Sequence, residues 1–201
     1  MTDLYFETID RLDPILRNGD VAVCEREAVG VMNSLRESPF HIVSTLSISN
    51  DPISAARHFD AFYDKESSRI PIAVVYTEMN GFDINTDRWF CDLFAYTKYG
   101  GQDDYDWLAD WQSEPFPDYT ILGLDQLQLV FGSEAKYKDE FSDARFIADL
   151  LVVIKFQAFM KAVAREMRTL NVPLFVTAHD YDFIAEIQPR QLSDRVEPPI
   201  V

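Results

Sequence analysis

The chain has 201 residues, 47% of them hydrophobic and 13% aromatic, with 34 Asp and Glu against 18 Lys and Arg for a formal net charge of −16. A chain of this length and composition can bury roughly 70% of its unfolded surface without a disulfide or metal, which excludes disordered, collagen-like and coiled-coil classes. The negative balance argues against binding to phosphate backbones or anionic membranes through the overall field.

The first residues, Met1-Thr2-Asp3-Leu4-Tyr5, lack the basic and apolar regions of a secretory signal. Tyr5, Ile9, Leu12 and Leu16 then repeat at helical spacing, and Asn18-Gly19 supplies a stop. Pro14 is expected to kink or split this helix. Asp20 suits an N-cap for a second helix, with Val21, Cys24, Ala28, Val31 and Leu35 on one stripe. Phe40–Ser49 is rich in β-branched residues and reads as a strand. Asp51-Pro52 opens a third helix, with Ala55, Phe59 and Phe62 on its apolar side.

Ile70–Met79 is a largely apolar run suited to a central strand, Asn80-Gly81 a turn, and Arg88–Thr97 an antiparallel partner. After an acidic stretch, a long helix is expected over 142–170, apolar nearly all round at Phe146–Ile154. Asp149, Lys155 and Lys161 interrupt its apolar run, so it reads as a core helix and no membrane span is expected. Pro173–Ala178 and Phe183–Ile187 read as a final hairpin, and the tail 196–201 as frayed. No linker or internal repeat divides the chain. The expected architecture is α+β: one domain over 1–195, a mostly antiparallel mixed sheet packed against the long helix and the N-terminal helices. Cys24 and Cys91, the two cysteines, read as buried thiols in a reducing compartment, which points to a cytoplasmic location.

Between Lys98 and Lys136 there is no Lys or Arg but eight acids: Asp103, Asp104, Asp106, Asp110, Glu114, Asp118, Asp125 and Glu134. If 103–114 is helical, Asp103, Asp106, Asp110 and Glu114 share one face, with Trp107, Leu108 and Trp111 beside them. Carboxylates in a first helical turn favour the dipole, but Asp110 and Glu114 stand toward the wrong end for that. Like charges four residues apart repel, and a basic partner would relieve them. Asp103, Asp106, Trp107, Asp110, Trp111 and Glu114 are therefore the expected partner-binding residues, with indole anchors and carboxylates that steer the encounter.

His179-Asp180-Tyr181-Asp182 lies between the last two predicted strands. Asp favours tight turns, so a turn is the simpler reading. The competing one is a metal site built from His179, Asp180 and Asp182, with Glu78 or Asp83 joining from the other hairpin. Glu78 and Asp92 fall on facing predicted strands. No G-x-S-x-G elbow, catalytic-thiol signature, H-E-x-x-H or phosphate loop occurs, so no catalytic residue and no cofactor is expected. Lys161, Arg165 and Arg168, with Gln157, are placed on one polar stripe of the long helix, too small for nucleic acid in so acidic a chain.

The sequence thus points to an acidic, non-catalytic protein-binding module, in its most concrete form an inhibitor or immunity-type protein that neutralises a basic toxin or nuclease. The alternative is a metal-assisted hydrolase using the 179–182 loop. A third reading is a homodimer that buries the acidic-aromatic segment against its twin's basic stripe.

Overall fold

Residues 1–82, 85–102 and 105–188 are described in a computed structural model. The first helix, α1 (Asp3–Arg17), begins where the Thr2 side chain accepts the Tyr5 amide, and buries Tyr5, Thr8, Leu12 and Leu16. It passes through Pro14 without the expected break. The carbonyl that Pro14 leaves without its helical partner belongs to Asp10, an exposed residue, so water can satisfy it. Helix α2 (Val21–Ser34) buries Val21, Cys24, Ala28 and Met32; Asp20 sits at its N-cap but makes no side-chain cap bond.

The strand expected at Phe40–Ser49 is instead a 3-10 turn over Pro39–Thr45. Pro39 favours the opening of a turn, and the Ser38 amide donates to His41 Nδ1 at 3.1 Å. Phe40 and Val43, three residues apart, are both fully buried, and Phe40 meets Phe131 edge-to-face at 5.3 Å. Burial of that pair outweighs the local β preference of the sequence. Helix α3 (Pro52–Ser67) starts as expected, with the Asp51 carboxylate accepting from the Ile53 and Ser54 amides.

Five strands form one mixed sheet in the order β3-β2-β1-β4-β5: β1 (Val74–Asn80), β2 (Phe90–Tyr96), β3 (Tyr119–Thr120), β4 (Leu174–Ala178) and β5 (Ala185–Ile187). Only β1 and β4 are parallel; the other three pairings are antiparallel. Between β3 and β4 come the short helix α4 (Asp125–Phe131) and the long helix α5 (Ser142–Glu166). The fold is α+β, with α1, α2, α3 and α5 on one face of the sheet. Alternate residues of β2 record the layering, since Cys91, Leu93 and Ala95 are buried while Phe90, Asp92 and Phe94 are half-buried.

Helix α5 is sealed on most sides from Ile147 to Phe156. It differs from the sequence reading in two places. Gln157 is not on a polar stripe: it is fully buried and donates to the carbonyls of Val176 and Phe183 at 3.2 and 2.7 Å, tying α5 to β4. The helix also stops at Glu166, because Asp60 of α3 accepts the amides of Arg168 and Thr169 at the chain's exit. Lys155 is buried and paired with Glu25 at 2.6 Å, and Lys161 caps the carbonyl of Gly19. Among the described residues no helix is long and apolar enough to cross a membrane. The tail 196–201 lies outside the described residues.

Candidate functional site on the uncovered sheet face

The segment expected to form an acidic helix does not. Residues 106–109 make a single 3-10 turn and 110–118 form neither helix nor strand; Asp103 and Asp104 lie outside the described residues. The edge of β2 competes for the backbone and wins. Gln112 donates its amide to Ala95 O at 3.0 Å and accepts the Thr97 amide at its side chain, while Ser113 Oγ accepts the Ala95 amide. Pro115 further disfavours helix at Glu114. The segment thereby covers a strand edge that would otherwise be open to another chain.

With the helix goes the shared acidic stripe. Trp107 serves the fold: its ring meets Tyr96 and Phe175 edge-on at 5.0 and 5.4 Å, and its Nε1 donates to Gly101 O. It closes a second, smaller core with Val74, Tyr76, Tyr96, Phe175 and Ile184 over one half of the sheet's far face. Glu114 is answered within the chain, 3.5 Å from Lys65 and 3.9 Å from Arg69. Asp106 and Asp110 are exposed. Trp111 is 53% exposed, its ring tilted edge-on against Phe94 at 5.6 Å.

Beyond Trp111 no element among the described residues covers the far face, and there strand register assembles a set of groups scattered along the sequence. Glu78 of β1 stands directly opposite Asp92 of β2, with Tyr76 opposite Phe94 and Asn80 opposite Phe90. Directly opposed like charges destabilise a sheet. Burial, the charge of Asp118 and the charge of Glu78 together raise the Asp92 carboxyl above its ordinary range, against smaller opposing effects of Arg88 and Asn80. Arg88 lies over the Phe90 ring and forks onto Asp118 at 2.8 and 2.7 Å, so its charge is largely committed. Asn80 donates to Asp92 at 2.8 Å.

A raised folded-state value means the native chain takes up this proton more readily than the unfolded chain. The destabilisation is therefore present above that value and is relieved as pH falls through it. Asp92→Asn removes the repulsion and keeps an acceptor for Asn80, so it is expected to stabilise the chain by roughly 0.5 kcal/mol at neutral pH. Calorimetry should find a melting point a degree or two higher, with the gain shrinking on acidification.

At the C-terminal end of β4, His179 follows Phe175 and Thr177 along the same face. Its Nδ1 lies 3.0 Å from Glu78 Oε1, and Glu78 Oε2 accepts the Tyr76 hydroxyl at 2.9 Å. His179 and Asp180 form a turn, the simpler of the two readings, and the competing grouping of His179, Asp180 and Asp182 does not converge. Asp180 charges the environment of Tyr76 on the uncovered face, while Asp182 charges that of Tyr5 in α1 on the helical side. Among the described residues no group of three or more His, Cys, Asp or Glu is arranged to hold a metal ion. Asp83 lies outside the described residues. Both thiols are buried, and burial pushes Cys24 up to about 11 and Cys91 up to about 12, so neither is a ready nucleophile.

The sequence names Trp111, Asp110, Glu78 and Asp92 as residue types, the last two on facing strands, but not what brings them together. The signal it lacked was the residue-by-residue pairing of β1 with β2, and the clamp by which α3 holds residues 112–116. Comparison with protein-family models, characterised proteins and solved structures gives no match for this chain.

Proposed function

We propose that the chain is a non-catalytic binding module whose uncovered sheet face docks a basic protein, an inhibitor or immunity-type role toward a basic toxin or nuclease. The observation that carries this reading is the exposed Trp111 seated on Phe94, beside the opposed carboxylates of Glu78 and Asp92. A protruding indole supplies apolar contact area at small entropic cost, the usual character of an interface anchor. The carboxylates around it repel one another in the free chain, and a partner's Lys or Arg would turn that repulsion into attraction. Asp110 and Asp106 stand on the same segment as rim charges that speed encounter without adding much affinity. The chain's charge of −16 acts in the same direction.

The expected partner-binding set changes accordingly. Trp111, Asp110 and Asp106 remain, Glu78 and Asp92 join them, and Trp107 and Glu114 are assigned to holding the fold. The hydrolase alternative has no convergent ligand set and no activated nucleophile among the described residues to rest on.

The test is capture on the immobilised chain from a lysate of its own source cells, across a salt series. The expected result is one stoichiometric, basic protein, released progressively as salt rises. Trp111→Ala should weaken its retention about thirtyfold, the effect of losing an anchor of about 2 kcal/mol. Retention unchanged by both Trp111→Ala and Asp92→Asn would end the proposal, as would the absence of any captured protein.

A further inference from the structure

Resting on that reading, the structure assigns one place on the uncovered face to a particular chemical group: the cleft at the C-terminal ends of β1 and β4 receives the guanidinium of a partner arginine. The cleft has a volume of about 340 Å³ and is bordered by residues 80–82, 85 and 179–181 and by Met1. Its acceptors are oriented by hydrogen bonds. A carboxylate oxygen accepts only, so the contact of His179 Nδ1 with Glu78 Oε1 places the proton on Nδ1. Glu78 is in turn steadied by the buried Tyr76 hydroxyl. The other ring nitrogen, Nε2, is left with its lone pair, and Asp180 Oδ1 lies 3.7 Å from it. That spacing is too long for a mutual hydrogen bond and matches two acceptors that take adjacent N–H groups of one planar cation.

The walls suit the same group. Tyr181 is half-buried and tilts against the buried Phe82 with centroids 5.5 Å apart, so the accessible part of the Tyr181 ring is an aromatic border on which a delocalised cation can lie. Lysine, a compact and strongly hydrated point charge, gains less from such a border and cannot span the two acceptors in one plane. Phe82 and Asp180, with φ of 58° and 63°, are the two non-glycine residues of positive φ among the described residues, and both line this cleft. Such backbone is retained where surrounding structure holds it, commonly at binding sites.

The probe is ethylguanidinium, titrated into the full chain against ethylammonium and followed by NMR at the His179 ring and the Asn80 and Asn85 side-chain amides. Saturable shifts at those three residues are expected for ethylguanidinium, with ethylammonium at least about fivefold weaker. Asp180→Asn and His179→Phe should each weaken binding about tenfold at an unchanged melting point, both residues being exposed. Equal response to the two cations, or shifts confined to Asp106 and Asp110, would overturn the assignment. A captured basic protein that binds His179→Phe at full strength but loses Trp111→Ala would overturn it while leaving the broader reading intact.

Discussion

Arg69→Ala is expected to lower stability by about 3 kcal/mol, because it strips the principal partner from a buried carboxylate. Glu66, near the end of α3, is completely buried. Arg69 Nη2 donates to its Oε2 at 2.5 Å and also to the carbonyl of Gln112, while Lys65 stands 3.7 Å from its Oε1. Lys65 continues outward to Glu114 and to the carbonyl of Pro115. One buried charge thus orients two cations, and the two cations hold the backbone of 112–115 against α3. Removing Arg69 leaves the carboxylate with one distant counter-charge, and at a chain of this size the melting point should fall by roughly 6–12 °C.

The loss should reach the binding face as well. Once the Gln112 carbonyl is released, its amide should exchange hydrogen faster, because its bond to Ala95 is held only by the same clamp and the β2 edge. Trp111 is next to Gln112, so partner retention should weaken although no residue of the uncovered face has changed. Arg69→Lys should recover part of the stability, since an ammonium restores the charge without the planar geometry that serves two acceptors together. A variant as stable as the parent, with the Gln112 amide still protected, would show the clamp to be inconsequential.

That clamp also marks where the sequence stopped being informative. Period and punctuation sufficed wherever a segment's structure follows from its own residues: the Asp51-Pro52 start, the two strands around Asn80-Gly81, the all-round apolar stretch of α5. They failed where a distant group decided the outcome. Phe40–Ser49 has a strand's composition, but the pocket formed by Phe131 and α5 takes Phe40 and Val43 at a spacing of three. The 103–114 segment has a helix's charge pattern, but the free edge of β2 and the two cations at and just after the end of α3 hold its backbone out of a helix. Gln157 fits a polar stripe until two carbonyls of the last hairpin need a donor. The candidate site shares this character. Its acids and its tryptophan are visible as residue types, whereas the opposition of Glu78 to Asp92 depends on register, which one residue of slippage would reverse.

Gly81→Ala is expected to be strongly destabilising although it adds a single methyl near the site. Gly81 has a φ of 152°, which an L side chain rarely adopts, and it follows the last residue of β1. A Cβ there would stand 2.5 Å from Trp89 Cγ and 2.8 Å from Nε1. Trp89 is completely buried between Phe82 and Phe131, with centroids 5.5 and 5.7 Å away, so the indole has no space to yield. Backbone strain and overpacking each cost roughly 1–3 kcal/mol, and together they predict a loss of about 3–4 kcal/mol. Gly30 supplies the control. It lies within α2 with nothing within 4 Å of an added Cβ, so Gly30→Ala should raise stability by roughly 0.5–1 kcal/mol through helix preference alone. Thermal unfolding of the two variants should therefore move in opposite directions. In Gly81→Ala the disturbance should also reach Asn80 and Phe82, which border the cleft, and weaken its hold on ethylguanidinium while Trp111 stays on Phe94. Equal melting points for the two variants would mean that the indole and the strand end have room to shift, and the rigid placement of Asn80 beside Asp92 would go with it.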